Sequence, residues 1–175
     1  MNSELRAAWQ LIEDARTNYL SLIESWSDDR LTQQPNGGWN ALQVTEHLII
    51  SEYGTLQYLL KKTQTSAESL EPSDETSAEA SRKLNLALKS DLKWEAPNVV
   101  TAPSGTHSLQ TLDAQWSELR KGWVQLLSSI DESYMKRQVF RHPIAGRLDL
   151  LQTLSFLENH IHHHVHQIRR IANPE

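Results

Sequence analysis

The length, charge and cysteine content of the chain already exclude several classes of protein. Its length of 175 residues predicts a single domain over 1–175. The absence of cysteine excludes disulfides, thiolate zinc sites and cysteine nucleophiles. The net charge of −5 resides entirely in residues 63–81, and because the balanced remainder has no basic stripe, we expect no nucleic-acid partner.

The N-terminal segment gives no sign of a membrane-directed sequence. Residues 1–16 are charged and amphipathic, unlike the apolar core of a signal peptide. No run in the chain approaches the roughly 18 apolar residues that a membrane span needs. We therefore expect no signal peptide, no membrane partner and a cytoplasmic location, which the absence of cysteine also suits.

The first predicted element is a helix with a heptad seam. Leucine outnumbers valine and isoleucine together, which favours helix over sheet. Apolar residues near the N-terminus recur at alternating spacings of three and four, a pattern typical of the helices in a four-helix bundle. The positions of this seam are Leu5, Ala8, Ile12, Ala15, Tyr19, Leu22 and Trp26.

A second helix is predicted to start after Trp39. Asn40 is a suitable N-cap residue, and Gln43 lies where it would complete a capping box. From Ala41 to Leu60 the sequence is apolar on nearly every side, so we expect a central, buried helix. We expect Trp39 to pack at the start of this helix, with stacking on a substrate as the alternative.

The middle of the chain is predicted to contain a loop, a short helix and a second loop. The acidic residues 63–81 are most simply a solvated loop or a frayed helix end, and we assign them no function. Residues 82–95 predict a shorter, peripheral helix, and 96–108 are rich in turn residues. Ser108 is a suitable N-cap for the next bundle helix. The seam of that helix is Leu109, Leu112, Trp116, Leu119, Trp123, Leu126 and Ile130.

The last predicted helix begins near Asp149, after a turn at 142–146, and ends before Pro174. Five of the eight histidines lie on it, between positions 160 and 166. One of them, His164, interrupts an aliphatic seam. An imidazole buried without a partner costs roughly 1–3 kcal/mol, so His164 needs one. The seam is Leu150, Leu154, Leu157, Ile161, His164, Ile168 and Ile171.

Helix geometry suggests a partner for His164. At 3.6 residues per turn, His160 lies one turn away and about 40° around the axis. This i, i+4 pair could offer two nitrogens to one metal ion. His162 and His166 form a second such pair, which we expect to be exposed because it faces away from the seam. With so many histidines together the pattern is weak, and a single core histidine bonded to a neighbouring side chain is the alternative.

A third ligand is needed for a site of three protein ligands. His47, on the predicted buried helix, is the best candidate. The alternative is a core histidine that is hydrogen-bonded across the bundle, and periodicity does not choose between them. His107 and His142 lie in predicted loops and could line the entrance of a site. Three further residues beside the candidates could orient water or the ligands: Glu46, His163 and Gln167.

Three segments carry a resemblance to a known family: GWNALQVTEHL, RHPIAGRLDLLQTLSFLENH and HIHHHVHQI. In this order they resemble the DinB/YfiT-like superfamily, and most of all its DinB_2-type members. The resemblance implies an all-α fold, a four-helix bundle with up-down-down-up topology, and often a homodimer. Carried over residue by residue, it implies metal ligands at His47, His160 and His164. It also implies metal-dependent hydrolysis, thiol transfer or isomerisation with a thiol cofactor.

Three imidazoles suit Zn or Ni, with Fe, Co or Mn as alternatives, and three protein ligands leave a coordination position open. We therefore predict a metal-dependent hydrolase or thiol S-transferase that acts on a small molecule, with a low-molecular-weight thiol as a candidate. The sequence has no H-E-x-x-H, G-x-S-x-G or phosphate-loop motif that would name the reaction. The alternative is a non-catalytic, stress-related bundle that acts by ligand binding or dimerisation.

Overall fold

A computed structural model describes residues 1–34, 37–90 and 102–172 of the chain. The described part is mostly helical, as the sequence predicts, with one short antiparallel hairpin. The helices are α1 (Ser3–Ile23), α2 (Asp28–Thr32), α3 (Ala41–Lys62), α4 (Glu75–Lys89), α5 (Leu109–Ser129) and α6 (Leu150–Ala172). The strands are β1 (Phe140–His142) and β2 (Gly146–Leu148).

The long helices begin where side chains cap their first free amides. Asn40 and Gln43 form the predicted capping box of α3, and Ser108 caps α5 as predicted. At the start of α6 the Asp149 carboxylate accepts the Gln152 amide at 2.9 Å, while the Gln152 side chain accepts the Asp149 amide at 3.0 Å. These caps satisfy donors that helix geometry leaves unpaired, so the helix starts follow from local sequence.

Two helices, α3 and α6, occupy the centre of the packing. The α6 helix packs against α1, α3 and α4, while α3 packs against α5 and α6. The predicted seam of α6 is buried at all seven positions, including His164. The predicted up-down-down-up order stays a prediction. The packing of α3 against α6 brings residues from distant parts of the sequence together.

The acidic segment contains more helix than predicted. The α4 helix begins at Glu75 rather than at residue 82, because Asp74 and Ser77 form a capping box within the acidic stretch. Its side chains pack on α6, where the Asn85 amide donates to the Ser155 hydroxyl at 3.0 Å. Residues 91–101, which include parts of the predicted short helix and second loop, lie outside the described residues.

The heptad seams of α1 and α5 are only partly followed. Trp9 and Ile23 are buried in α1, whereas Ala8, Leu22 and Trp26 are only partly buried. An α-helix of 3.6 residues per turn drifts from a 3.5-residue repeat, so the buried stripe moves by one position along each helix. In α5 this drift buries Arg120 in place of Leu119, which is partly buried, as are the predicted seam residues Leu109 and Ile130 at the two ends of the helix. The α3 helix is not buried on all sides, since Tyr53 is 55% exposed.

Arg120 is the centre of a buried polar network that sequence periodicity did not indicate. Its Nε lies 2.9 Å from Glu52 Oε1, and its Nη2 donates to Glu52 Oε2 at 3.1 Å. Trp116 Nε1 also donates to Glu52 Oε2, at 2.9 Å, and Arg120 Nη1 donates to Glu13 Oε1 at 3.2 Å. Burial raises the pKa of Glu52, and the nearby Arg120 charge opposes that rise. The network ties α3 to α5 and α1.

The predicted turn at 142–146 is the tip of the β1–β2 hairpin. Phe140 pairs with Leu148 and His142 with Gly146. Gly146 has a φ of +89°, a conformation that residues with a Cβ rarely adopt. The hairpin leads directly into α6 and sets His142 beside that helix. In the described residues, no helix is both long and apolar enough to cross a membrane.

Candidate metal centre

Three histidine side chains converge where α3 packs against α6. His47 Nε2 lies 3.2 Å from His160 Nε2, and His164 Nε2 lies 3.1 Å from the same atom. Each of the three rings offers a ligand atom within 4.8 Å of the others. His160 and His164 sit one turn apart on α6, as their spacing predicts, and His47 reaches them from the second turn of α3.

Burial keeps the three imidazoles neutral. His47 and His164 are each 6% exposed, whereas His160 is partly exposed. Burial lowers the pKa of His47 to about 4 and that of His164 to about 3. Burial and the neighbouring histidines also hold the pKa of His160 well below its ordinary value. Neutral rings at pH 7 retain the nitrogen lone pairs that a metal ion requires.

Gln167 determines which nitrogen of His164 is available. Its side-chain oxygen lies 2.7 Å from His164 Nδ1, so the proton of the neutral ring is on Nδ1 and the Nε2 lone pair faces the cluster. A carbonyl partner of this kind fixes the tautomer and orientation of metal-binding histidines in general. Of the three residues predicted to orient the site, Gln167 is the one that contacts a candidate ligand in this way.

The donor set fits a divalent metal ion. His160 Nε2 faces two other ring nitrogens at hydrogen-bond distance, and a single ring proton cannot satisfy both lone pairs well. A cation between the three nitrogens removes that conflict. Two ligand nitrogens about 2.1 Å from one tetrahedral ion lie roughly 3.4 Å apart, close to the observed separations. Among the described residues, the group contains no fourth histidine, aspartate or glutamate.

Aromatic side chains surround the cluster. The Trp39 ring lies 4.9 Å from the His47 ring between centroids. Phe156 stacks on His160 with centroids 5.4 Å apart and an angle of 20° between the planes. These rings therefore pack against two of the three candidate ligands. Phe156 was not among the predicted site residues, although its position four residues before His160 places it one turn away on the same face of α6.

Glu46 and His163 contact other parts of the chain. Glu46 accepts the Gly105 amide at 2.7 Å and the Ser104 hydroxyl at 2.9 Å, so it fixes the loop before α5. Partial burial would raise the pKa of Glu46, but these hydrogen bonds outweigh it and the pKa is lowered. His163 Nδ1 lies 2.9 Å from the Leu88 carbonyl at the end of α4. Its ring also packs edge-on against His164.

The remaining histidines lie outside the convergent group. His162 Nε2 lies 3.8 Å from Glu158 Oε1, and its side chain is 44% exposed. His166 is exposed, as expected, and so is His107 in the loop before α5. His142 is partly buried at the end of β1, and both the Ile144 and Ala145 amides donate to its Nδ1. The structure therefore separates the pair His160 and His164 from the other histidines of the run.

Two packed helices thus bring three histidine nitrogens together. This arrangement defines a class of protein: a helical bundle with a site that could hold a metal ion. The DinB superfamily model matches residues 11–168. The chain therefore belongs to the DinB superfamily, which confirms the resemblance seen in its sequence. No curated protein and no solved structure gives a significant match to the chain.

Proposed function

We propose that this chain is a metal-dependent enzyme, of hydrolase or thiol S-transferase type, that acts on a small molecule. The observation that carries the proposal is the convergence of the His47, His160 and His164 Nε2 atoms from two helices. Three protein ligands with an open position are typical of catalytic rather than structural metal sites. Zn or Ni fits an all-imidazole donor set best, and Fe, Co or Mn is the alternative.

The residues around the cluster support this proposal because they orient the ligand rings and pack against them. A bound divalent ion would supply Lewis acidity to a water, thiol or carbonyl group at the open position. Gln167 holds His164 with its Nε2 lone pair towards the cluster, and burial keeps the ligand rings unprotonated. Trp39 and Phe156 pack against the rings of His47 and His160, and His160 is partly exposed.

Activity that depends on the metal tests the enzymatic part of the proposal. We expect the untagged protein to turn over low-molecular-weight thiol conjugates or activated esters in a substrate screen. Removal of the metal with a chelator should abolish turnover, and added Zn or Ni should restore it. His162→Ala is the matched control and should keep full turnover, because its ring lies outside the convergent group.

The outcome that would contradict the enzymatic proposal is a protein that binds stoichiometric metal but shows no turnover of either substrate class. A turnover that survives complete removal of the metal would contradict it equally. Metal binding without turnover would instead favour the alternative of a non-catalytic, ligand-binding bundle.

A further inference from the structure

His142 has its ring proton fixed in one position by the hairpin turn. The Ile144 amide donates to its Nδ1 at 3.2 Å and the Ala145 amide at 3.1 Å. Since Nδ1 accepts hydrogen bonds, the proton of the neutral ring must be on Nε2. Burial lowers the pKa of His142 to about 4, so this neutral tautomer is the state present near pH 7.

The His142 ring lies beside the histidine cluster. Its edge packs against Phe156 with centroids 4.7 Å apart, and Phe156 in turn stacks on His160 with centroids 5.4 Å apart. His142 is also close enough for its charge, if it were protonated, to lower the pKa of His160. The three rings therefore form a row that leads from the hairpin tip to the cluster.

The Nε2 of His142 is a donor without a protein partner in the part of the chain that the structure describes. Its hydrogen bonds to backbone amides are both made by Nδ1. The His142 residue is only partly buried, so its side chain is not closed off from solvent. A fixed N–H group on a partly exposed ring beside a candidate metal centre can donate to a bound molecule.

We propose that His142 binds the substrate by donating its Nε2–H to a carboxylate or carbonyl oxygen of a molecule held at the histidine cluster. This inference rests on the proposed function, because the cluster must first hold a metal ion. His142 would then select substrates that carry an oxygen acceptor at a fixed distance from the group bound to the metal. Neither Glu46 nor His163 is available for this task, since each contacts another part of the chain.

A structural role for His142 in the hairpin turn is the competing explanation, and two variants separate it from substrate binding. In His142→Asn the side-chain oxygen occupies the position of Nδ1 and can accept the same two amides, as aspartate and asparagine do in turns. The Nε2 donor is lost. In His142→Gln the side-chain nitrogen can occupy the position of Nε2, so the donor is kept while the turn acceptor is lost.

The experiment uses protein loaded with Co(II), whose visible absorption reports ligands that enter the coordination sphere. Each protein is titrated with acetate, malonate and succinate, so that carboxylates of increasing reach are compared. We expect at least one of them to bind His142→Asn about tenfold more weakly than wild type, the effect of one lost hydrogen bond to a charged group. His142→Gln should keep an affinity within about threefold of wild type.

The results that overturn the proposals differ. Equal affinities in wild type and His142→Asn for all three acids, with full cobalt loading, would overturn the role of His142 alone. Weaker binding by His142→Gln than by His142→Asn would show that the residue acts through the turn, which also overturns it. Failure of the wild-type protein to take up cobalt would overturn the metal site, and the role of His142 with it.

Discussion

The neutrality of the three candidate ligands is a property of single residues and has a consequence for stability. Burial lowers the pKa of His47 to about 4 and of His164 to about 3, while an unfolded histidine titrates near 6.5. Below about pH 6.5 the unfolded chain binds protons that the native rings cannot bind. The neutral rings therefore contribute a part of the stability of the metal-free protein that is fully present above this pH. This part should be lost as the pH falls towards the folded pKa values.

This consequence can be measured by urea unfolding of the metal-free protein at pH 7 and pH 5. For each ring that stays neutral when folded, the free energy of unfolding should fall by about 2 kcal/mol from pH 7 to pH 5. His164→Leu should therefore show a pH-dependent loss smaller by about 2 kcal/mol than wild type. His166→Leu is the matched control on an exposed position and should lose stability as wild type does. Equal losses in wild type and His164→Leu would contradict the neutral state of this ring.

At the scale of helices, the buried pair of Glu52 and Arg120 holds α3 against α5. Both side chains lie almost fully out of solvent, at 2% and 5% exposure. Replacement of one partner leaves the other charged and unpaired in the core, which typically costs about 3–5 kcal/mol. We expect Arg120→Met to lose stability in this range by chemical denaturation.

The double variant Glu52→Leu, Arg120→Met should recover much of that loss, because no charge remains in the core. Lys121→Met is the control, since Lys121 pairs with Glu118 on the exposed side of the same helix and its loss should have little effect. If Arg120→Met were as stable as Lys121→Met, the buried pair would not hold the two helices together.

The elements that the sequence predicts well are those fixed by short-range interactions. The capping box at Asn40, the start of α6 at Asp149 and the buried seam of α6 all depend on residues within a few positions of each other. The burial of Arg120 depends on Glu52, which lies 68 positions away. Such a pairing is invisible to helical periodicity, because periodicity describes one helix and not its neighbour.

The candidate site divides along the same line. The proximity of His160 and His164 follows from their spacing of one helical turn. The proximity of Phe156 and His160 could have been predicted from the same spacing. His47 is 113 positions from His160. Periodicity made it only a candidate ligand, and the family resemblance implied the assignment. The contacts of Glu46 with the loop before α5 and of His163 with α4 depend on chain segments whose placement no local pattern specifies.

At the scale of the whole molecule, the histidine cluster joins the two central helices of a DinB superfamily chain. Tyr19 and Thr45 are a simple buried polar pair in this core, since their hydroxyl groups form one hydrogen bond with each other. Three nitrogens that face one another do not form a simple pair, because His160 Nε2 lies at hydrogen-bond distance from both His47 Nε2 and His164 Nε2. A metal ion bound to all three nitrogens would therefore connect α3 to α6.

Elemental analysis of the untagged protein tests whether the three histidines bind a metal ion, with His164→Ala compared with His162→Ala. Both variants remove one histidine from the same run, but His164 belongs to the convergent group and His162 faces Glu158. Circular dichroism establishes that each variant is folded. We expect about one metal ion per chain in wild type and His162→Ala, and a loss of stoichiometric metal in His164→Ala. Full metal content in folded His164→Ala would contradict this expectation.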